Sequence, residues 1–314
     1  MDLAVRAPIA PKRSRYGYTP TEWVCILYIV LFSITTLLHF AQALRYRLWW
    51  LIVTAVVCGI LEILGWGGRL WSSFNDLLFS PYVMQITTTI IAPTPLVAAN
   101  FVILGQIITR LGECYSRLSA KWYTAVFVSC DIIALIVQAA GGAEAAIAVS
   151  KGTSPQSGGR VMLAGIAFQL AAITCYMGLA AEFITRSLKD WPVRARSTGA
   201  RTSDMDKNMK LMLLGLAASS VFIYIRSIYR TIELANGWTG VIIHTQALFN
   251  VFDGAMITLA MYTINVLHPG RLLGPGNTWM RYTSPRKEAE LGDSEHSSVN
   301  KEINPSSKED GTAQ

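Results

Sequence analysis

Apolar residues in this chain fall in long runs rather than in the narrow stripe of a surface helix, and seven runs stand out. They cover 22–43, 48–70, 82–109, 121–140, 161–184, 209–230 and 239–267. At about 1.5 Å of rise per residue, each is long enough to cross roughly 30 Å of hydrocarbon as an α-helix. A soluble core has no use for so many runs of that length. The pattern predicts an all-α polytopic membrane protein, a bundle of seven transmembrane helices. It divides the chain into an N-terminal segment (1–21), a membrane domain (22–268) and a tail (269–314). From about residue 282 the tail is rich in Ser, Glu, Lys and Pro, which predicts disorder, because so little apolar area cannot offset the entropy of ordering.

The polar residues inside the runs are not scattered. In the second span Glu62, Gly65, Trp66 and Arg69 fall at i, i+3, i+4 and i+7, one face of a helix. Asp131 and Gln138 in the fourth are seven apart, Gln169 lies in the fifth, and the sixth ends with Arg226, Tyr229, Arg230 and Glu233. Gln246, Asn250 and Asp253 repeat the same period in the seventh. An ionisable group at the bilayer centre costs at least about 2.5 kcal/mol on insertion scales, so these groups face the bundle interior or a cavity. Glu62 and Arg69 read as a pair, and Asp131 and Asp253 as two mid-depth acids. Arg69, Arg226 and Arg230 against Glu62, Asp131, Glu233 and Asp253 sum to −1, the balance of a paired network with one acid left over. Pro93 and Pro95 predict a kink in the third span and carbonyls freed for other partners.

Composition agrees: 52% of residues are hydrophobic and 15% charged, against about 25% charged in an average soluble domain. The net charge of +7 does not indicate nucleic acid, because the basic residues sit between the apolar runs, where topology signals belong. Fourteen Lys and Arg, in 45–47, 110–117, 186–207 and 271–287, fall on one side, against six, in 6–15 and 151–160, on the other. The more basic side is read as cytoplasmic, giving an external N-terminus and an internal C-terminus. The polar stripes then gather toward the outer half, as a vestibule. Trp49, Trp50, Trp71, Trp122 and Trp238 at the span ends form an aromatic belt.

No phosphate-binding loop, HExxH, nucleophile elbow or Cys/His metal set is present, so the sequence implies no enzyme, metal or cofactor. No lysine stands at mid-depth in the seventh span, which excludes a retinal Schiff base of the usual kind. The partners that remain are membrane lipids or amphiphilic small molecules, either moved by the protein or sensed by it.

In order along the chain stand Tyr18-Thr-Pro20, Glu62-x-x-Gly65-Trp66-x-x-Arg69, Ala92-Pro93 and Asp131-(x6)-Gln138-(x2)-Gly141-Gly142. Gly165-(x3)-Gln169, Arg226-(x3)-Arg230-(x2)-Glu233-(x3)-Gly237, Phe252-Asp253 and His268-Pro269-Gly270 follow. In that order and spacing the chain resembles the fungal lipid-translocating exporter family, seven-helix proteins of the resistance-to-aminocholesterol type. It departs from that pattern at Gln106 and Gln246, which are uncharged where a basic residue and a Glu are common. The resemblance implies a fungal multi-pass protein, of the plasma membrane or an endomembrane, that exports or translocates sphingoid long-chain bases or sterol-like toxins.

Overall fold

The computed structural model describes residues 16–75, 77–193, 206–237 and 240–276. Among the described residues seven helices are long and apolar enough to span a membrane. They are α1 (Glu22–Tyr46), α2 (Ile52–Phe74), α3 (Phe79–Leu111), α4 (Ala120–Ser150), α5 (Gln156–Leu188), α6 (Lys207–Ala235) and α7 (Gln246–Leu272). Residues 1–15 and the tail from 277, including the stretch read as disordered, lie outside the described residues, as does Trp238.

Burial is inverted relative to a soluble protein. Arg69, Asp253 and Glu62 are each 1% exposed, while Leu37, Ile136 and Leu214 are 67%, 63% and 62% exposed. Such a surface is stable only against hydrocarbon. Trp49, Trp71 and Trp122 are exposed at helix ends, as an interfacial belt requires.

Consecutive helices pack side by side, and α1 closes the ring against α7. The C-terminal half of α3 also packs on α6 and is the most central part of the bundle. The N-terminal half of α3 leans instead on α2, where Gly68 lets the two backbones approach: a Cβ there would lie 2.9 Å from the Pro81 carbonyl. That lean leaves a gap between α3 and α4.

The fourth and fifth helices are longer than their apolar runs. The fourth apolar run ends near 140, at Gly141-Gly142, but the helix continues to Ser150. The reason is α5. A Cβ on Gly141 would stand 2.5 Å from the Met162 amide nitrogen, and one on Gly158 would stand 2.4 Å from the Ala145 nitrogen. Small residues here mark backbone-to-backbone packing, not a helix end. With 31 residues, α4 is roughly 46 Å long and outruns the hydrocarbon. Gly158→Leu is expected to cost at least about 1–3 kcal/mol through overpacking. Fluorescence-detected thermal melts in detergent read the loss.

The seventh span starts at Gln246 rather than 239; residues 241–244 form turns before it. It also runs one turn past His268, whose Nδ1 accepts from the Gly270 amide at 3.1 Å and caps Pro269–Leu272.

Candidate functional site: a charged core beside a lateral apolar cleft

Two irregularities build the charged core. Pro93 has no N–H to give to the carbonyl four residues back, that of Thr89. The Thr89 carbonyl accepts instead from Nη2 of Arg226. In α7 the backbone widens to a π-helix over Asn250–Ala255, the segment that presents Asp253. Single π-turns inside α-helices occur often at functional sites. The Asn250 carbonyl within it accepts from the Tyr28 hydroxyl at 2.6 Å, which ties the segment to α1. Gly254 lets Trp66 and Tyr28 approach, and their rings stack with centroids 4.1 Å apart.

Asp253 is the hub. Its Oδ1 and Oδ2 accept from Nε and Nη2 of Arg230 at 2.8 and 3.1 Å, a bidentate pair. Nε of Arg226 stands 2.8 Å from the same Oδ1, close enough for an ion pair but poorly aligned for a hydrogen bond. Arg230 also donates to Oε2 of Glu233 at 2.9 Å and to Oγ1 of Thr89 at 2.9 Å. Tyr229 donates to the other Glu233 oxygen at 3.0 Å. Two arginines and two carboxylates thus form a neutral cluster joining α3, α6 and α7. A buried bridge of this kind specifies geometry more than it adds stability, and removing one member is what costs most. Thr89→Val keeps the shape and deletes one hydrogen bond to a charged group; a loss of about 1.5–3 kcal/mol is expected in thermal melts.

The pairs read from the stripes do not all form. Arg69 does not reach Glu62. Seven residues on one helix face are roughly 10 Å apart along the axis, beyond an ion pair. Arg69 turns toward the N-terminal segment, where Nη2 donates to the Tyr18 hydroxyl at 2.7 Å. Both Glu62 oxygens are buried without a hydrogen-bond partner among the described residues. Asp131 and Asp253 do not meet either, because α4 packs on α3 and α5 and not on α7. Near Asp131, Gln138 donates to Gln169 at 3.1 Å and Gln169 to Thr94 at 3.3 Å. Gln246 is drawn away, its Oε1 accepting from Thr21 at 3.3 Å. The Asn250 side-chain oxygen is buried and unbonded. Pro93 and Pro95 interrupt α3 at Ala92.

Beside the core lies a cleft of about 480 Å³, in the size range of small-molecule sites. The N-terminal half of α3 forms one wall (Phe79, Tyr82, Val83, Ile86, Ile90), and the second half of α4 the other (Leu135, Gln138, Ala139, Gly142, Ala146). It opens at the side of the bundle, where Thr87 and Ala139 are exposed. Gln138 is the point at which the polar stripe of α4 meets the cleft.

A smaller polar annex of about 30 Å³ adjoins it, and Tyr82, Ile86, Ile90 and Met162 line both. Tyr16, Tyr18, Arg69, Gln85, Arg230, Glu233 and Phe249 line the annex. Tyr16 and Tyr18 cover it: Tyr16 shares a 3.2 Å hydrogen bond with Ser72, and its carbonyl lies 2.6 Å from His244 Nδ1. Burial pushes the Tyr16 hydroxyl up to about 12, so it stays neutral.

Sequence patterns missed the cleft, the tyrosines of the N-terminal segment and Thr89. Signals for two of these were present. Thr89 stands four residues before Pro93, and Ala139, Gly142 and Ala146 form an i, i+3, i+7 stripe of small residues that leaves room on α4.

The described residues thus form a helical membrane bundle with a lateral apolar cleft that ends in a charged annex. Residues 55–275 match the family model described as RTA1 like protein, and the chain belongs to that family. A sphingoid long-chain base transporter of Saccharomyces cerevisiae is 29% identical over 287 residues, covering 83% of this chain and 75% of that protein. A lipid-translocating exporter-like protein of Leptosphaeria maculans is 26% identical, covering 88% and 55%. The protein RTA1 of S. cerevisiae is 27% identical, covering 81% and 84%. No solved structure matches the chain.

Proposed function

We propose that this protein translocates or exports single-chain amphiphilic lipids, with the tail in the α3–α4 cleft and the head at the annex. The observation that carries this reading is the shared wall of Tyr82, Ile86, Ile90 and Met162, which joins an apolar space open at the side of the bundle to a charged one. An amphiphile needs both in that order. A lateral opening lets the tail enter from hydrocarbon without crossing water. The names of the relatives, a long-chain base transporter and a lipid-translocating exporter, support the same class of cargo and favour a transporter over an enzyme or a sensor.

The annex lies where α2 and α6 end and α3 and α7 begin, the face that carries the N-terminal segment. With the N-terminus outside and the C-terminal tail in the cytosol, the head group is held at the outer face, as suits export. The plasma membrane is the proposed location. Proteoliposomes of the full chain, loaded with a fluorescent long-chain lipid, test the reading. Transbilayer movement above that of protein-free vesicles is expected, whereas saturable binding without movement would make the protein a sensor.

A further inference from the structure

Among the described residues Arg69 has no counterion. It is 1% exposed, and among the described residues no carboxylate lies within ion-pair distance of it. Among the described residues its Nη2 donates to a neutral acceptor, the Tyr18 hydroxyl, and its buried Nε has no acceptor. The faces of Tyr16, Tyr18, Trp66 and Phe249 surround the guanidinium at 4.4–5.7 Å from ring centroid to Cζ. Four rings soften the cost of burying a cation but do not neutralise it. Arg226 and Arg230 are different, since both hold Asp253. The carboxylate that lines the annex, Glu233, is already engaged by Arg230 and Tyr229.

The annex is therefore lined by the Arg69 guanidinium, an excess positive charge at the end of an apolar cleft, with its unused Nε–H buried behind it. An ammonium head placed there meets the guanidinium with no free carboxylate to receive it. An anionic oxygen meets a charge-assisted donor. We infer that the annex is an oxyanion subsite, so that this chain prefers single-chain lipids whose head carries a phosphate monoester or a carboxylate over those with an amine alone. The inference rests on the cleft being the lipid site. A space of about 30 Å³ admits one or two oxygens, not a whole head group. The acidic oxygen reaches Arg69, displacing or sharing the Tyr18 hydroxyl. The rest of the head stays at the junction walled by Tyr82 and Met162. A head with both phosphate and ammonium keeps its amine outside the annex.

The test uses the full chain in phosphatidylcholine nanodiscs and measures binding of four C18 probes: a long-chain base, its 1-phosphate, a fatty acid and a fatty alcohol. The 1-phosphate or the fatty acid is expected to bind at least roughly tenfold more tightly than the base, the factor for one hydrogen bond to a charged group. Preference for the phosphate over the fatty acid identifies a phosphate ester as the natural head, and the reverse order a carboxylate; both support the subsite. Arg69→Gln is expected to erase the preference for the acidic heads over the base. A wild-type protein that binds the base as tightly as its phosphate overturns the inference, as does an Arg69→Gln protein that keeps the preference. If the variant does not yield monodisperse protein, the wild-type comparison decides alone. Saturable binding of the base or the alcohol without acid preference leaves the cleft reading standing; no saturable binding of any probe removes both.

Discussion

Asp253→Asn is expected to destabilise the protein by about 3–5 kcal/mol, enough to abolish a monodisperse peak in fluorescence-detected size exclusion. The carboxylate holds two guanidiniums at once, Arg230 through a bidentate bridge and Arg226 at 2.8 Å. Amide substitution keeps the volume but removes the carboxylate charge that both arginines engage, leaving Arg226 with the Thr89 carbonyl alone among its described hydrogen bonds. The matched control is Glu62→Gln. Glu62 is as deeply buried as Asp253, yet neither oxygen makes a hydrogen bond among the described residues, so no bridge is lost. It is expected to melt close to wild type. Equal losses in the two variants would mean that charge, not the bridge geometry, holds α6 and α7 together.

Filling the cleft is expected to have the larger effect on function. Gly142 lines it, and a Cβ built there meets only the Met162 sulfur at 3.6 Å, an ordinary contact. Gly142→Phe therefore places its ring in the cleft without forcing α4 from α5. A folded protein with lipid binding weakened at least roughly tenfold is expected, since a benzyl-sized group occupies space that a tail would bury at about 0.8 kcal/mol per CH₂. Gly141→Phe, one residue away, is the opposite case. Its Cβ would strike the Met162 nitrogen and the Gly158 carbonyl at 2.5 and 2.7 Å, so the fold itself is expected to fail. The pair separates loss of site from loss of structure, by binding in nanodiscs and thermal melts of the same preparations.

The seven spans and the stripe residues were legible because bilayer thickness fixes helix length, and the helical period fixes which residues share a face. Sharing a face says nothing about reach. Glu62 and Arg69 lie on one stripe but two turns apart, and Arg69 finds Tyr18 from a segment that the span pattern left outside the bundle. Nor does equal depth imply contact. Asp131 and Asp253 belong to helices that are not neighbours, and that order of packing is not written in either helix alone. Arg230 and Glu233, three apart on α6, pair at 2.9 Å, a local contact within helical reach. The cleft was the hardest feature to read. It exists because Gly68 draws α3 toward α2 while Gly141 and Gly158 draw α4 toward α5, and the small-residue stripe of Ala139, Gly142 and Ala146 marks only one of its two walls.

The lipid's position can be read by photo-crosslinking a single-chain lipid with a diazirine at mid-tail to the full chain in nanodiscs, followed by peptide mapping. Labels on residues 79–91 and 135–149, competed by excess unlabelled lipid and lost in Gly142→Phe, are the expected result. Labels spread over the outward faces of α1 and α6, around Leu37 and Leu214, and insensitive to competition would contradict the cleft as the lipid site.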